Sequence, residues 1–90
     1  MKNTHSRPHP FGEAISRMIA EKSLKKYRIA KKLGKQVSEI TRLERQKGAP
    51  KWDTFFTIAR GMEVDPRELF LKICDIVEER ENPPGHDKQG

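Results

Sequence analysis

Ninety residues, one third of them apolar, supply one small hydrophobic core and exclude a multidomain or large cleft-bearing enzyme. A net charge of +6 points to a polyanionic partner; no run is apolar and long enough for a membrane span, and none reads as a signal peptide, so a cytoplasmic placement is expected. The single cysteine, Cys74, has no partner for an internal disulfide, which fits a reducing compartment.

Residues 1–10 are polar, contain Pro8 and Pro10, and predict a flexible arm. Lys2, His5, Arg7 and His9 could let it follow a phosphate backbone or enter a minor groove, although a terminus without a role is the simpler reading. His5 and His9 lack Cys or acidic companions at ligand spacing, so no metal is expected. Phe11, Ala14, Ile15, Met18 and Ile19 then recur at i, i+3, i+4, i+7 and i+8. This is one apolar stripe on a first helix of about three turns.

The central stretch is Leu24 to Arg45. Leu24 packs as a staple on a second helix predicted from Lys25 to Leu33, with Ile29, Ala30 and Leu33 inward. Gly34 provides the positive-φ residue that stops it, and a third helix is predicted from Gln36 to Arg45 with Ile40 and Leu43 inward. A reversal within Gly34-Lys35-Gln36 forces a steep crossing, the geometry that lets a second helix lie in a DNA major groove. The outer face of that helix carries Val37, Ser38, Thr41 and Arg42, whose chemistry suits base edges. Arg42 can bond bidentately to guanine, Ser38 can donate or accept, and Val37 or the Thr41 methyl can pack on a thymine methyl. Lys25, Lys26, Lys35, Gln36, Arg45 and Lys47 flank that face and form the expected phosphate-binding set. Cations at the start of the second helix oppose its dipole at a cost of a few tenths to about 1 kcal/mol, which a phosphate at that terminus would offset.

Gly48-Ala49-Pro50 predicts a loop, and Trp52, Phe55, Phe56, Ile58 and Ala59 predict a fourth helix over Lys51–Arg60 whose aromatics fill the core; a ligand pocket lined by Trp52 or Phe56 is the alternative. Asp65-Pro66-Arg67-Glu68 is a helix start, with Asp as N-cap and Pro at the first helical position. The fifth helix is placed over 65–81, with residues 82–90 as a disordered tail. Its Ile73, Cys74, Ile76 and Val77 extend an apolar stripe beyond what four helices can cover and predict a homodimer interface; folding back onto Phe11 and Met18 is the competing reading. Cys74 is expected to be a small buried hydrophobe rather than a redox sensor.

Charge is segregated along the chain. Residues 22–51 hold eleven Lys or Arg against Glu39 and Glu44, or +9, whereas residues 62–82 hold three against seven acids, or −4. The cationic end is the footprint of a nucleic-acid surface, and the anionic end belongs away from it.

The order Leu24, Ile29-Ala30, Leu33-Gly34, Ile40, Leu43-Glu44-Arg45, Pro50, Thr54, Ile58-Ala59-Arg60 and Val64 resembles the Cro and repressor type of helix-turn-helix proteins, the xenobiotic-response-element class, without gaps from about Ile15 to Phe70. The resemblance implies an all-α, five-helix repressor-like domain over 11–81 with the helix-turn-helix at helices 2 and 3. It makes Val37, Ser38, Thr41 and Arg42 the base-reading residues, and Lys26, Arg45 and Lys47 backbone contacts. Ile19 stands where many members carry an Arg that pairs with the residue here called Glu44, so Glu44 needs another cation, Lys22 or Lys47, or solvent. Lys25 replaces a Ser N-cap, and Glu63 stands where Gly often closes the fourth helix, which predicts a strained or differently built turn.

The expected function is sequence-specific binding of double-stranded DNA by a transcriptional regulator, a repressor acting as a dimer on a near-palindromic operator. No cofactor and no catalysis are expected: the histidines lie in the tails, and neither a Ser/His/Asp or Cys/His set nor a phosphate-cradling Gly-rich loop is present. The alternative is an antitoxin-type protein whose C-terminal part holds a protein partner, a toxin or an anti-repressor. RNA binding is disfavoured because the basic region is expected to lack exposed stacking aromatics.

Overall fold

A computed structural model of the chain describes residues 7–82. It has five helices: α1 (Pro10–Glu21), α2 (Lys26–Leu33), α3 (Val37–Arg45), α4 (Trp52–Met62) and α5 (Pro66–Glu81). No strand occurs among the described residues, and none of the helices is long and apolar enough to cross a membrane.

The ends of these helices follow from local chemistry. Gly34 closes α2 in the left-handed region at φ 68°, where a side chain would cost about 1 kcal/mol or more. Gln36 is the N-cap of α3, and its backbone N–H donates to Glu39 Oε2 at 3.3 Å. Asp65 caps α5 by accepting from the Arg67 N–H at 2.8 Å, with Pro66 at the first helical position. Glu63 closes α4 at φ 61°, a left-handed conformation held by a non-glycine residue. The strained turn expected at this position is therefore present, and Glu63 reaches Lys32 at 2.7 Å.

The arm is shorter than the sequence predicts. Pro10 is the first residue of α1 and His9 is its N-cap, accepting from the Phe11 N–H at 2.9 Å through Nδ1 while its own N–H donates to the Gln46 carbonyl at 2.8 Å. Burial and the nearby Arg80 guanidinium lower the His9 pKa, which keeps Nδ1 an acceptor. Lys2 and His5, expected in the arm, and most of the expected tail at 82–90 lie outside the described residues.

The core is built from Phe11, Ile15 and Met18 of α1, Ile29 and Ile40 of the central pair, Phe55 and Ile58 of α4, and Leu69 and Ile76 of α5. Two glycines permit close approach there, one of backbone and one of a side chain. A Cβ at Gly12 would run into the carbonyl oxygens of Leu43 and Glu44, and one at Gly61 would strike the Leu33 side chain. Gly12 thus seats α1 against the end of α3, and Gly61 seats α4 against α2.

Three expectations about apolar residues are corrected. Ile76, assigned to a dimer interface, is 0% exposed and belongs to the monomer core, with Ile73 half-buried beside it. The reason is phase: Leu69, Ile73 and Ile76 lie at i, i+4 and i+7, the face of α5 that packs on α1. Trp52 and Phe56, assigned to the core, are instead 68% and 45% exposed. The buried residues of α4 are Phe55, Ile58, Ala59, Gly61 and Met62. Cys74, expected to be buried, is also exposed, one residue off the inward face.

Ion pairs clamp α5 to α1. Arg17 bridges Glu13 at 2.8 Å and Glu79 at 2.7 Å, Arg80 returns to Glu13 at 2.5 Å, and Lys72 reaches Glu21 at 2.8 Å. Burial alone would raise the Glu13 pKa, but hydrogen bonds from Arg80 and Arg17 outweigh it and hold it below the ordinary value. Glu79 is lowered by its hydrogen bonds to Arg17.

Candidate nucleic-acid interface

On α3, Ile40 is buried and Leu43 half-buried against the core, so the opposite arc faces solvent. Val37, Ser38, Arg42 and Arg45 are exposed on it, and Thr41 is half-buried between them. At 100° per residue these five span about 140° of the helix surface. They therefore form one continuous strip, as their spacing predicts.

The strip is joined to α2. Lys31, Lys35, Gln36, Val37 and Ser38 line one shallow depression together with Tyr27. Tyr27 is exposed, and the Lys31 ammonium lies 5.9 Å from its ring centre. This corrects the expectation that the basic region lacks an exposed aromatic. The available signal was an aromatic at the second position of α2, out of phase with Ile29 and Leu33. On the other flank, Arg42 shares a groove with Lys35, Leu43 and the α4 residues Asp53, Thr54 and Thr57.

Lys26 is differently placed from the other phosphate-binding candidates. Its Nζ lies 2.5 Å from Glu44 Oε1 and donates to Thr41 Oγ1 at 3.2 Å, while Ser16 Oγ donates to Glu44 Oε2 at 2.8 Å. Glu44, whose side chain is 12% exposed, thus finds its partners in Lys26 and Ser16. Neither Lys22, which pairs with Glu68 at 2.9 Å, nor Lys47 serves it. The chain Ser16–Glu44–Lys26–Thr41 ties α1 and α2 to the outer face of α3. By occupying the Thr41 hydroxyl it also fixes that side chain's rotamer. Ile19 packs against the core. Sequence reasoning missed this arrangement because its members come from three helices with no common spacing.

The remaining cations are free of carboxylates. Lys25, Arg28, Lys31, Arg42, Arg45 and Lys47 have no ion-pair partner among the described residues, as do Lys51 and Arg60 on the α4 side. Lys35 holds Glu39 only loosely, at 3.7 Å. Lys25, the residue before α2, gives no side-chain hydrogen bond to the helix start, so backbone N–H groups of its first turn stay available beside Lys25 and Arg28. An anion at this terminus would meet both unpaired donors and unpaired charge.

Comparison with protein-family models, with curated proteins and with solved structures finds no match to this chain.

Proposed function

We propose that the protein binds double-stranded DNA sequence-specifically, laying α3 in the major groove as the second helix of a helix-turn-helix, and that it acts as a small transcriptional regulator which blocks competing factors from its site. The observation that carries this reading is the set of unpaired cations Lys25, Arg28, Lys31, Arg42, Arg45 and Lys47 flanking a strip that also presents Val37 and Ser38. A surface kept only for solubility mixes both signs. Here the acids of the same stretch, Glu39 and Glu44, are turned to Lys35 and Lys26. Arg42 and Ser38 are placed to read base edges, Val37 and the oriented Thr41 to contact thymine methyls, and Lys25, Arg45 and Lys47 to hold phosphates. Lys35 and Gln36 open α3 beside them, and Lys26 has a positioning part in addition to its charge.

Selection of bound sequences from a random duplex pool, with single-stranded RNA as competitor, tests the proposal. The expected result is enrichment of a short defined half-site. Enrichment of no duplex sequence, or displacement by RNA at comparable concentration, would remove it.

A further inference from the structure

We infer that Lys26, held by Glu44 and Ser16, is a positioning residue that makes the Thr41 hydroxyl a proton donor toward the bases, so that the base facing Thr41 in a bound half-site is a keto base, thymine or guanine. The inference rests on the DNA reading proposed above and names the base edge that one part of its strip selects. Lys26 is set apart from the other cations of the α2–α3 face by what it touches. Lys25, Arg28, Lys31, Arg42, Arg45 and Lys47 have no ion-pair partner among the described residues, whereas the Lys26 Nζ lies 2.5 Å from Glu44 Oε1 and 3.2 Å from Thr41 Oγ1. At 12%, the Glu44 side chain is also the least exposed carboxylate in any ion pair among the described residues.

Packing brings these groups together. Thr41 and Glu44 are neighbours at i and i+3 on α3, and Lys26, the first residue of α2, reaches both. Gly12 lets α1 approach the Leu43 and Glu44 carbonyls. Ser16, one turn further along the same face of α1, then meets the Glu44 side chain, its Oγ donating to Oε2 at 2.8 Å. One carboxylate oxygen is thus taken by the hydroxyl and the other by the ammonium, which fixes the plane of the carboxylate and with it the place of the ammonium.

An ammonium has protons to give and no lone pair. In its bond with Lys26 the Thr41 oxygen is therefore the acceptor, and its own proton is left to be given elsewhere. The positive charge beside that oxygen also opposes the approach of a second N–H donor. In the major groove thymine O4 and guanine O6 are acceptors, whereas the amino groups of adenine N6 and cytosine N4 are donors. A hydroxyl held in this way bonds the first pair and is opposed by the second. An unheld threonine hydroxyl turns to suit either, so the preference belongs to the network and not to Thr41 alone. Because Glu44 balances the charge of Lys26, the pair contributes to reading rather than to holding phosphates.

The test carries the full chain and its variants through selection from a random duplex pool and then through salt titration on the selected site. Thr41→Val, which keeps the shape and removes the hydroxyl, marks the base-pair position that Thr41 faces. In the parent that position should carry a keto base, preferred roughly 2–10-fold, the value of one hydrogen bond. Lys26→Met with Glu44→Gln removes the network without changing the net charge. It should abolish that preference, keep those at other positions and leave the salt slope unaltered, and Thr41→Val should add nothing in this background. Four results would each overturn the inference and leave the DNA reading in place: a preference that survives the double substitution, an amino base at the marked position, a Thr41→Val that changes no position, or a salt slope lowered by about 1, the mark of a lost phosphate contact. Should the double variant unfold by circular dichroism, Ser16→Ala replaces it, since it leaves Lys26 and Thr41 in place; about a twofold loss of the same preference is expected, and an unchanged preference overturns the inference. A parent that enriches no duplex sequence removes the DNA reading and this inference with it.

Discussion

The α1–α5 wall and the α2–α3 face carry comparable densities of charge and use them in opposite ways. On the wall, Glu13, Arg17, Glu79 and Arg80 form a closed cluster, and Lys72 and Lys22 are answered by Glu21 and Glu68. On the face, Lys25, Arg28, Lys31, Arg42, Arg45 and Lys47 are answered by nothing among the described residues, while its two acids are turned to Lys26 and Lys35. The wall's charges link two helices; the face's charges are those proposed above to meet phosphates. Net charge alone does not separate these cases, because pairing is a property of positions in space.

The largest effect that would sharpen this contrast is in the apolar layer beneath the wall. Ile76→Ala should cost roughly 2–5 kcal/mol in denaturant unfolding, whereas Val77→Ala, one residue on and outward, should stay within about 0.5 kcal/mol. Similar losses for both would mean that α5 is not packed in this phase.

Salt should divide the two regions next. If about five of the free cations of the α2–α3 face meet phosphates, DNA affinity falls on the order of 10²–10³-fold between 50 and 200 mM salt, while the unfolding midpoint moves little, because exposed pairs such as Arg17–Glu79 contribute at most about 1 kcal/mol. Binding indifferent to salt would break the comparison at its functional end.

Within the face, reading and holding should separate. Arg42→Ala is expected to lose roughly 1–3 kcal/mol and to relax preference at one base pair, whereas Lys47→Ala should weaken every duplex alike and lower the salt slope by about 1. Competition between matched and mismatched sites measures both. Sequence-independent losses in both variants would take α3 out of the groove.

Acid should loosen the wall in two stages. The folded pKa of His9 lies below its ordinary 6.5, so its contribution as a neutral cap is complete above that value and declines as pH falls below it. Glu13 and Glu79 are depressed from 4.5; their contribution is complete above 4.5 and is lost as pH falls through their lower folded values. Melting followed from pH 7 to pH 3 should show a small decline first and a steeper one below 4.5, and Arg17→Gln should flatten the second. A melting temperature level across that range would show that these pairs do not hold α5.

The smallest effect is at the turn after α4. Glu63→Gly should relieve the left-handed strain and stabilise the fold by up to about 1 kcal/mol, less whatever the exposed Lys32 pair contributes. A destabilised variant would show that the pair outweighs the strain.

Much of the architecture was legible before any coordinates. The five helices, their boundaries to within a residue or two, the reversal at Gly34, the cap at Asp65-Pro66 and the separation of charge are all written in neighbouring residues. Helix starts and stops depend on hydrogen bonds reaching three or four residues along the chain, so sequence carries them. What only the tertiary structure decided is which of several apolar faces each helix buries and which charges find partners. On α4, Trp52 and Phe56 extend an apolar arc wider than its neighbours cover, so they remain outside. On α5, the choice between the strip of Phe70, Cys74 and Val77 and that of Leu69, Ile73 and Ile76 was made by α1. Gly12 counts only because the Leu43 and Glu44 carbonyls lie above it, and Lys26 meets Glu44 and Ser16 only because three helices converge there. Such pairings are set by the mutual packing of whole elements, which periodicity along one element does not encode.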